Sequence, residues 1–467
     1  MKPKPEEICL NIQSSLLRSG LFSTNGNHQG TWRVAPAPWF LSADEIEFFS
    51  ELGGHLLKFY RTLNQFYFDS LKGKLPSWFA EYLDLGKPPD LLNYGQMNRF
   101  RRRLPGILRP DVIATEDGFA ITELDSVPGG FGLLARLMSL YGESHENMIG
   151  AEQGGIPELF YRMIESTAGK PGCTLAIVVS QESQDYLEEM KVLGTLLRKR
   201  GLPVFVARPQ DLVFREDGLF LPVEGADTRI DAVYRFFELY DLKNIPKSEL
   251  LLYGNKKGVV TVTPPYKPFL EEKLVFALFH HPCLAPFWEK SLGRETFAAL
   301  THLIPSTWIL DNRALPPQAV IPGLNIRGVP VREWRELHSL TQKERELVIK
   351  ISGFSPLSWG GRGVTVGHDV SANEWMQTLR ERLENFERTP AVLQTFRKGK
   401  RVTTAYWCPH TQSLKEIECR IRLTPYYFVV AEEDARLGGI LATLCPKDKK
   451  KIHGMTDAVM IPCAANP

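Results

Sequence analysis

The chain has 467 residues, more than a single hydrophobic core usually serves, so two or three packed units are expected. A hydrophobic fraction of 43% with 24% charged residues indicates a folded globular protein and excludes a disordered one. The formal net charge of +2 is too small to attract nucleic acid or an anionic membrane to the protein as a whole.

The first residues, MKPKPEEICL, carry prolines and glutamates where a signal peptide would have an apolar core. The longest apolar runs, such as residues 175–179, are far too short to span a bilayer. The seven cysteines are scattered without a C-x-x-C pair, which disfavours a zinc site and a disulfide framework. We therefore expect a cytoplasmic protein with packed, reduced thiols.

In chain order, the apolar spacing first predicts helix from Ser42 to about Leu83. A hairpin follows from Ile107 to Asp125, and helical spacing resumes over residues 132–141. Two apolar runs then flank a helical stretch, which predicts a strand, a helix and a second strand of a parallel sheet. A third apolar run continues this unit. These segments are residues 174–180, 184–200, 203–207 and 230–237.

The last two hundred residues predict a second set of elements. Prolines between residues 246 and 268 mark a connector. The pattern beyond it predicts helix over residues 274–300, strands at 347–351 and 391–396, and a sheet-forming tail from residue 420.

The segment RPDVIATEDGFAITELDSVPGG is the most informative part of the sequence. With a three-residue turn, Glu116-Asp117-Gly118, and Gly118 in the left-handed conformation, Asp111 faces Glu123 and Arg109 faces Asp125. A two-residue turn would shift the register by one and separate Asp111 from Glu123.

Like charges on facing strand positions repel, so a positive group is expected among these carboxylates. A hard divalent cation meets that requirement better than Arg109 alone, because it takes carboxylate oxygens and keeps positions for phosphate and water. The alternative from spacing alone is a hairpin whose carboxylates face water. Asp111, Glu123 and Asp125 are the candidate metal ligands.

The segment LVIKISGFSPLSWGGRGVTVG predicts a strand carrying Lys350, followed by a glycine-rich loop. Glycines let backbone N–H groups approach phosphate oxygens, and a lysine on the preceding strand adds positive charge. A plain glycine-rich hairpin tip explains the pattern equally well. Downstream, AVLQTFRKGK predicts a strand that runs into a polar hinge, where backbone groups could pair with an adenine edge. Upstream, Lys273 begins an amphipathic helix, a position that a surface lysine also fits.

Together these segments resemble the ATP-grasp superfamily, in particular its circularly permuted branch that includes the synthetase domain of glutathionylspermidine synthase. The acidic hairpin precedes the nucleotide-binding lysines, as in the permuted order. That family has Arg-x-Asp, then a Glu twelve residues after the Asp, then x-Asn. Arg109, Asp111 and Glu123 match this spacing, and the resemblance runs from about Arg109 to the C-terminus.

The resemblance implies roles for these positions. Asp111 and Glu123 would hold Mg²⁺, Arg109 would stabilise the acyl phosphate and the tetrahedral species after it, and Lys273 and Lys350 would bind the phosphates of ATP. The remaining nucleotide-binding positions would be a loop over the triphosphate, Ser358, Gly360, Gly361 and Gly363, and an adenine hinge, Gln394, Thr395 and Phe396.

Two departures from the family bear on substrate and metal. Asp125 stands where the family usually has Asn, which adds negative charge to the site. Ser126-Val127-Pro128 replaces the Asp-Thr-Pro of glutathionylspermidine synthase, so that enzyme's substrate contacts do not transfer. Glutathione and spermidine are therefore not the expected substrates.

The expected fold class is α/β (α+β), a circularly permuted ATP-grasp fold with a pre-ATP-grasp parallel-sheet domain. The expected division is a helical N-terminal region (residues 1–105), the metal-binding hairpin portion of the ATP-grasp core (106–170), a pre-ATP-grasp-like domain (171–245) and a nucleotide-binding portion (246–467). Tyr234 and Arg235 lie in the stretch that resembles the pre-ATP-grasp domain.

The sequence thus predicts an ATP- and Mg²⁺-dependent carboxylate–amine ligase that forms an acyl phosphate and acts on small molecules, without nucleic-acid or membrane partners. The alternatives are an ATP-grasp phosphotransferase and a non-catalytic nucleotide-binding protein. Nucleic-acid binding would depend on two short basic clusters, Arg99 to Arg103 and Lys447 to Lys451, which solvated surface or anion binding explains as well.

Overall fold

The computed structural model of the protein describes residues 3–22, 32–125, 127–313, 315, 319–358, 360–449 and 457–466. Its helices are α1 (Pro5–Arg18), α2 (Ala43–Leu71), α3 (Trp78–Asp84), α4 (Pro89–Gly95), α5 (Phe131–Tyr141), α6 (Gly155–Ala168), α7 (Leu187–Arg198), α8 (Ser248–Lys257), α9 (Leu274–His280), α10 (Ala285–Leu292), α11 (Arg294–Leu303) and α12 (Ala372–Glu384).

The strands of the described residues are β1 (Trp39–Leu41), β2 (Ile107–Thr115), β3 (Gly118–Asp125), β4 (Leu175–Val179), β5 (Val204–Ala207), β6 (Val213–Arg215), β7 (Gly218–Val223), β8 (Ala226–Ile230), β9 (Ala232–Phe236), β10 (Thr261–Thr263), β11 (Thr307–Ile309), β12 (Asn325–Ile326), β13 (Val329–Pro330), β14 (Leu347–Ile351), β15 (Val364–Val366), β16 (Ala391–Thr395), β17 (Arg401–Cys408), β18 (Ser413–Ala431), β19 (Asp434–Pro446) and β20 (Val459–Ala465).

Helix α2, which is 29 residues long, begins where its sequence supplies a capping box. The Ser42 side chain accepts a hydrogen bond from the Glu45 N–H, and the Glu45 carboxylate accepts one from the Ser42 N–H. Its apolar face, which includes Phe49, Leu56 and Leu63, is buried. The helix predicted from Ser42 to about Leu83 is therefore confirmed, although it is divided between α2 and α3.

The sheet that carries the candidate site joins the two ends of the chain. Its strand order is β1-β20-β19-β18-β2-β3, with β17 also paired to β18. The pairing is antiparallel except between β1 and β20. The predicted hairpin is thus an edge of this sheet, and the predicted sheet-forming tail is its centre.

The predicted parallel sheet is also confirmed. Strands β10, β9, β4 and β5 pair in that order and all run parallel. Its two faces bury different cores, because side chains alternate along a strand. Ile177 and Tyr234 pack toward the large core shared with α2, α5, α6 and the seven-stranded sheet, whereas Val178 and Val233 pack into a second core.

A third sheet has the order β11-β16-β14-β15 and is antiparallel throughout. Strand β14 carries Lys350. The helix predicted over residues 274–300 is three helices, α9, α10 and α11, because His281-Pro282 and Gly293 interrupt it. The small sheets β6-β7-β8 and β12-β13 were not predicted from the sequence.

Two further expectations concern cysteines and membrane segments. All seven cysteines are free, and all but Cys283 are buried, as expected for packed thiols. Within the described ranges, every helix falls short of the length or the apolar character that a membrane crossing requires.

Candidate active site

The predicted hairpin forms, but its turn differs from the predicted one. Thr115 pairs with Gly118, so Glu116 and Asp117 alone make the turn. Gly118 has a positive φ of 123° at the start of β3. A two-residue turn would have separated Asp111 from Glu123, but a β-bulge lies between the pairs Val112–Ile121 and Asp111–Glu123. The bulge inserts Thr122 and restores the predicted pairing.

Beyond the bulge the pairing is the predicted one. Arg109 faces Asp125 and Asp111 faces Glu123, so the three carboxylates lie on one face of the hairpin. Gly130, with φ of 93°, ends this segment and leads into α5. A β-carbon at this position would lie 2.5 Å from the hydroxyl of Tyr426, so the close approach requires glycine.

Arg109 binds carboxylates on both strands of the hairpin. Its guanidinium donates to Asp111 Oδ1 at 2.6 Å and forms an ion pair with Asp125. Asp111 Oδ2 accepts from Arg422 Nη1 on β18 at 2.8 Å. Both oxygens of Asp111 are therefore held by arginines, and its side chain is only 10% exposed.

The two predicted lysines approach the same hairpin from another sheet and another helix. Lys273, the residue before α9, contacts Glu123 Oε1 at 2.8 Å and donates to the Ser358 carbonyl oxygen at 2.6 Å. Lys350, on β14, donates to the carbonyl oxygen of the bulge residue Thr122 at 2.7 Å. Lys273 thereby links the hairpin to the glycine-rich loop.

Burial and neighbouring charges shift the pKa values of these groups. Burial alone would raise the pKa of Asp111, but Arg109, Arg422, Lys350 and Lys273 together hold it below its usual value. Burial opposes the charge of Lys273, yet Glu123 and the other nearby carboxylates raise the pKa of Lys273. Burial, and then the charge of Lys273, lower the pKa of Lys350 to about 8 despite Glu123 and Asp111.

The cations of the site outnumber its carboxylates. There are four cationic side chains, those of Arg109, Arg422, Lys273 and Lys350, and three carboxylates, those of Asp111, Glu123 and Asp125. These seven residues together therefore carry one positive charge in excess. The Nε atoms of Arg109 and Arg422 are buried and have no hydrogen-bond partner within the described residues. A buried donor without a partner is costly, so this arrangement fits an anionic ligand.

Fewer carboxylates are placed to bind a magnesium ion than the sequence predicted. Within the described ranges no group of three or more His, Cys, Asp or Glu side chains is placed to hold a metal ion. Mg²⁺ commonly takes only one or two carboxylates together with substrate phosphates and water. Glu123 and Asp125, whose side chains are 29% and 31% exposed, fit that requirement better than the enclosed Asp111.

The glycine-rich loop contacts Lys273 through the carbonyl oxygen of Ser358. The Ser358 N–H donates to the Ser355 carbonyl oxygen at 3.0 Å. Gly360 and Gly361 have positive φ values of 64° and 71°, and apart from chain neighbours no atom of the described residues lies within 4 Å of a β-carbon built at either. A β-carbon at Gly363 would lie 2.6 Å from the Leu357 carbonyl oxygen. Trp359, and Ser126 after the hairpin, lie outside the described residues.

The predicted adenine hinge already makes hydrogen bonds within the protein that its sequence did not indicate. The N–H groups of Thr395 and Phe396 donate to the carbonyl oxygens of Ser306 and Glu346, both at 2.9 Å. The buried Gln394 side chain donates to Thr307 Oγ1 at 3.1 Å. These two N–H groups are thus already paired, which leaves backbone carbonyls, or the residues after Phe396, for an adenine edge.

A cavity of about 390 Å³ lies near the hinge but away from the site. Trp308, Leu347 and Thr395 are among its lining residues. Lys350 pairs with Val392, and side chains alternate along a strand, so Leu347 and Thr395 face away from the side that carries Lys350. The cavity therefore lies on the other face of the four-stranded sheet.

Arg422 is the site residue that the sequence analysis missed. It lies far from the hairpin in sequence, at a separation of 311 residues from Asp111, and its strand carries no recognisable motif. Arg420 and Arg422 are two positions apart, the spacing that puts two side chains on the same face of a strand. That spacing marks a face but does not identify its partner.

The two basic clusters considered for nucleic acid have structural partners. Arg99 and Arg103 donate to the carbonyl oxygens of Lys256 and Thr167, respectively. Lys447 pairs with Glu418 at 2.6 Å, whereas Lys450 and Lys451 lie outside the described residues. The contacts of Arg99, Arg103 and Lys447 therefore belong to the protein's own packing.

Comparison with known proteins identifies a similar fold. No protein-family model matches the chain, and no curated protein matches its sequence. A glutathione synthetase-like effector from Globodera pallida, in apo form, aligns over 100% of this chain and 98% of its own, with a TM-score of 0.56 and 11% identity. A protein proposed to be a gamma-glutamylcysteine synthetase from Methylobacillus flagellatus aligns over 83% of this chain and 87% of its own, with a TM-score of 0.40 and 12% identity.

The first of these similarities extends over essentially the whole chain. At 11% identity it establishes a shared fold and nothing finer. The chain is accordingly a mixed α/β protein, with parallel and antiparallel sheets, whose overall fold is that of a glutathione synthetase-like protein.

Proposed function

We propose that this protein is an ATP-dependent carboxylate–amine ligase of the ATP-grasp kind, in circularly permuted order, which works through an acyl phosphate. The observation that carries the proposal is the convergence of Lys273 and Lys350 on the hairpin that bears Arg109, Asp111 and Glu123. A triphosphate needs cations from more than one side, and here they would come from two sheets and the start of a helix.

The chain's own groups would first bind and position the nucleotide. Lys273 and Lys350 would move their charge from Glu123 and the Thr122 carbonyl to phosphate oxygens. The loop with Ser358, Gly360, Gly361 and Gly363 would cover the phosphates, and the segment Gln394 to Phe396 would border the base. Glu123 and Asp125 would bind Mg²⁺ directly, and the more enclosed Asp111 would add its negative charge to the site. When bound, Mg²⁺ offsets the negative charge of the phosphates.

In the first chemical step, an oxygen of the substrate carboxylate attacks the γ-phosphorus of ATP. The bond from that phosphorus to the bridging oxygen breaks, and ADP leaves with the electron pair. Positioning and preorganised charge contribute most of the catalysis in such a transfer. The product is an acyl phosphate held beside Arg109.

In the second step, the nitrogen of the neutral amine attacks the carbonyl carbon of the acyl phosphate. The C–O bond to phosphate breaks, inorganic phosphate leaves, and the nitrogen loses a proton. Arg109 would stabilise the oxyanion of the tetrahedral species, because its guanidinium is fixed by Asp111 and Asp125 before the charge develops.

The test is ADP release by the purified protein against a panel of amino acids, peptides and amines, with mass spectrometry of any product. The proposal predicts ADP release that requires both an acid and an amine, and a conjugate lighter by one water than its two components combined. A phosphorylated acid without an amide would indicate a phosphotransferase. Nucleotide binding without turnover across the panel would indicate a non-catalytic protein.

A further inference from the structure

A buried ion pair that the proposed mechanism does not use lies next to the two lysines of the site. Lys87, in the loop between α3 and α4, places its Nζ 2.7 Å from Glu272 Oε1, and it also donates to the Leu85 carbonyl oxygen at 3.3 Å. The side chains of Lys87 and Glu272 are 0% and 1% exposed, so solvent does not screen the pair. A carboxylate at this depth is costly unless a cation and hydrogen-bond donors surround it. Lys87 supplies that positive charge.

Glu272 joins the segment that carries Lys273 to the start of the glycine-rich loop. Its Oε2 accepts a hydrogen bond from the Ser352 hydroxyl, and its Oε1 accepts one from the Phe354 N–H at 3.3 Å. The same Ser352 oxygen accepts from the Leu274 N–H at 3.0 Å. Both chain neighbours of Lys273 are therefore bonded to the start of the loop.

This arrangement fixes the separation of the two lysines. Ser352 directly follows β14 and lies two residues after Lys350. The bonds that Ser352 makes therefore hold the segment of Lys273 against the strand of Lys350. A β-carbon at Gly353 would lie 2.6 Å from Glu272 Oε1, so the close approach of the two segments requires glycine.

The loop that carries Lys87 packs against the same region. Gly86 has a positive φ of 72°, and a β-carbon there would collide with the Arg388 carbonyl oxygen. Two residues farther along the chain, the Pro390 carbonyl oxygen accepts a hydrogen bond from the Ser352 N–H at 2.9 Å. The N-terminal helical region thus contacts the segment that also binds Ser352.

We propose that Lys87 is a positioning residue for the nucleotide site, which acts through Glu272 on Lys273 and on the glycine-rich loop. Its positive charge balances the Glu272 carboxylate, which can then hold the loop by hydrogen bonds. This assignment rests on the proposed function. It adds to it that the N-terminal helical region, through Lys87, helps to form the site that binds the phosphates.

The loss of Lys87 would also affect the charge of the site. Burial lowers the pKa of Lys273, but Glu123 and then other carboxylates, Glu272 among them, raise it above its usual value. The charge of Glu272 therefore already acts on Lys273. Without Lys87, Glu272 would compete with phosphate oxygens for the ammonium group of Lys273.

The experiment compares amide hydrogen exchange without nucleotide, and then ATP affinity, in the full-length wild type and in Lys87→Met. Exchange over residues 352–358 should be at least about tenfold faster in the variant, because Glu272 no longer holds the start of the loop. Exchange over β4, in the parallel sheet, should not change. ATP affinity should fall about tenfold, because Glu272 then competes for Lys273.

The double variant Lys87→Met/Glu272→Gln separates this role from a contribution to packing alone. It removes both charges, and the glutamine oxygen can still accept hydrogen bonds from Ser352 and Phe354. Exchange over residues 352–358 should therefore return to within about threefold of the wild-type rate. If Lys87 contributed only packing, the double variant would exchange as fast as Lys87→Met.

Lys74→Met is the matched control, because Lys74 is exposed between α2 and α3 of the same helical region. It should equal the wild type in both measurements. The proposal is overturned if a folded Lys87→Met exchanges over residues 352–358 as slowly as the wild type, or if the double variant exchanges as fast as the single one. A wild type that binds no ATP would contradict the proposed function alone, because exchange is measured without nucleotide.

If Lys87→Met fails to fold, Ser352→Ala replaces it. This change keeps both charges of the ion pair and removes only the hydroxyl that joins Glu272 to the Leu274 N–H. Exchange of the Phe354 amide should then be faster than in the wild type. An unchanged rate would overturn the proposal in this case as well.

Discussion

The ammonium group of Lys350 lies 2.7 Å from the carbonyl oxygen of Thr122, the residue that the β-bulge inserts into the hairpin. The bulge has two effects at once. It brings Glu123 opposite Asp111 despite the short turn, and it leaves a carbonyl group outside the regular pairing, where Lys350 reaches it. A local irregularity of the hairpin therefore couples the carboxylates to the sheet that carries Lys350.

Arg109→Lys should suppress product formation far more than it weakens ATP binding. The substitution retains the charge but loses the fork that joins Asp111 to Asp125. We expect turnover to fall by about 10²- to 10³-fold, as for other preorganised groups that act on developing charge, while ATP affinity changes by less than about threefold. The comparison uses single-turnover ADP and product formation beside equilibrium ATP binding.

Arg436→Lys serves as the control for that substitution, because Arg436 pairs with Asp434 at 2.7 Å near the protein surface. It should leave both turnover and ATP affinity unchanged. If Arg109→Lys retained full turnover, the catalytic role of Arg109 would have to be abandoned. Its ion pairs with the hairpin would then be sufficient reason for the arginine.

Asp111→Asn and Glu123→Gln should differ in their effect on stability. Asp111 holds two arginines and is 10% exposed, whereas Glu123 holds one lysine and is 29% exposed. Removing the charge of Asp111 should lower the free energy of unfolding by about 3 kcal/mol, because the enclosed Arg422 loses its carboxylate partner and Arg109 keeps only Asp125. Glu123→Gln should cost about 1 kcal/mol or less, since solvent screens its pair. Urea unfolding of both variants checks this, and equal losses would contradict it.

Glu189 should make the stability of the protein depend on pH. Its carboxylate accepts hydrogen bonds from the N–H groups of Gly130 and Gly132, at 2.8 Å and 3.0 Å, but burial outweighs them and raises its pKa to about 7. The folded protein then holds a proton that the unfolded chain has released, so stability falls as pH rises between about 5 and 8.

Glu189→Gln removes this titration. Relative to the variant, the wild type should lose about 2 to 3 kcal/mol of unfolding free energy from pH 5 to pH 8, as linkage predicts for such a shift. Chemical denaturation of both proteins at several pH values measures the difference. A difference that stays constant across this range would show that Glu189 does not titrate there.

The sequence predicted the parts of the site that depend on short-range pattern. The pairing of Arg109 with Asp125 and of Asp111 with Glu123 was predicted correctly, although the three-residue turn assumed for it was wrong and a bulge restores the register. The convergence of Lys273 and Lys350 on this hairpin followed from the resemblance to a family with a known arrangement. The parallel sheet, the hairpin, strands β14 and β16 and the sheet-forming tail could be predicted from alternating and continuous apolar runs. The pairing of the hairpin with that tail in one sheet was not predicted.

The remaining features depend on contacts that no local pattern records. The bulge at Thr122 has no glycine to mark it, so the turn and the register could not be predicted separately. Arg422 reaches Asp111 from a strand far along the chain. The N–H groups of Thr395 and Phe396 are paired because Ser306 and Glu346 lie beside them in space, which a strand pattern does not reveal.

The most direct test of the central claim is the affinity of ATP for the wild type and for Lys350→Met, measured by equilibrium dialysis with Mg²⁺ present. Lys343→Met is the control, because Lys343 is exposed shortly before the same strand. The account predicts that the wild type and Lys343→Met bind ATP equally, and that Lys350→Met binds it about 10- to 100-fold more weakly, as the loss of a charge-assisted hydrogen bond implies. It would be contradicted if a folded Lys350→Met bound ATP as tightly as the wild type, or if the wild type bound no ATP at millimolar concentration.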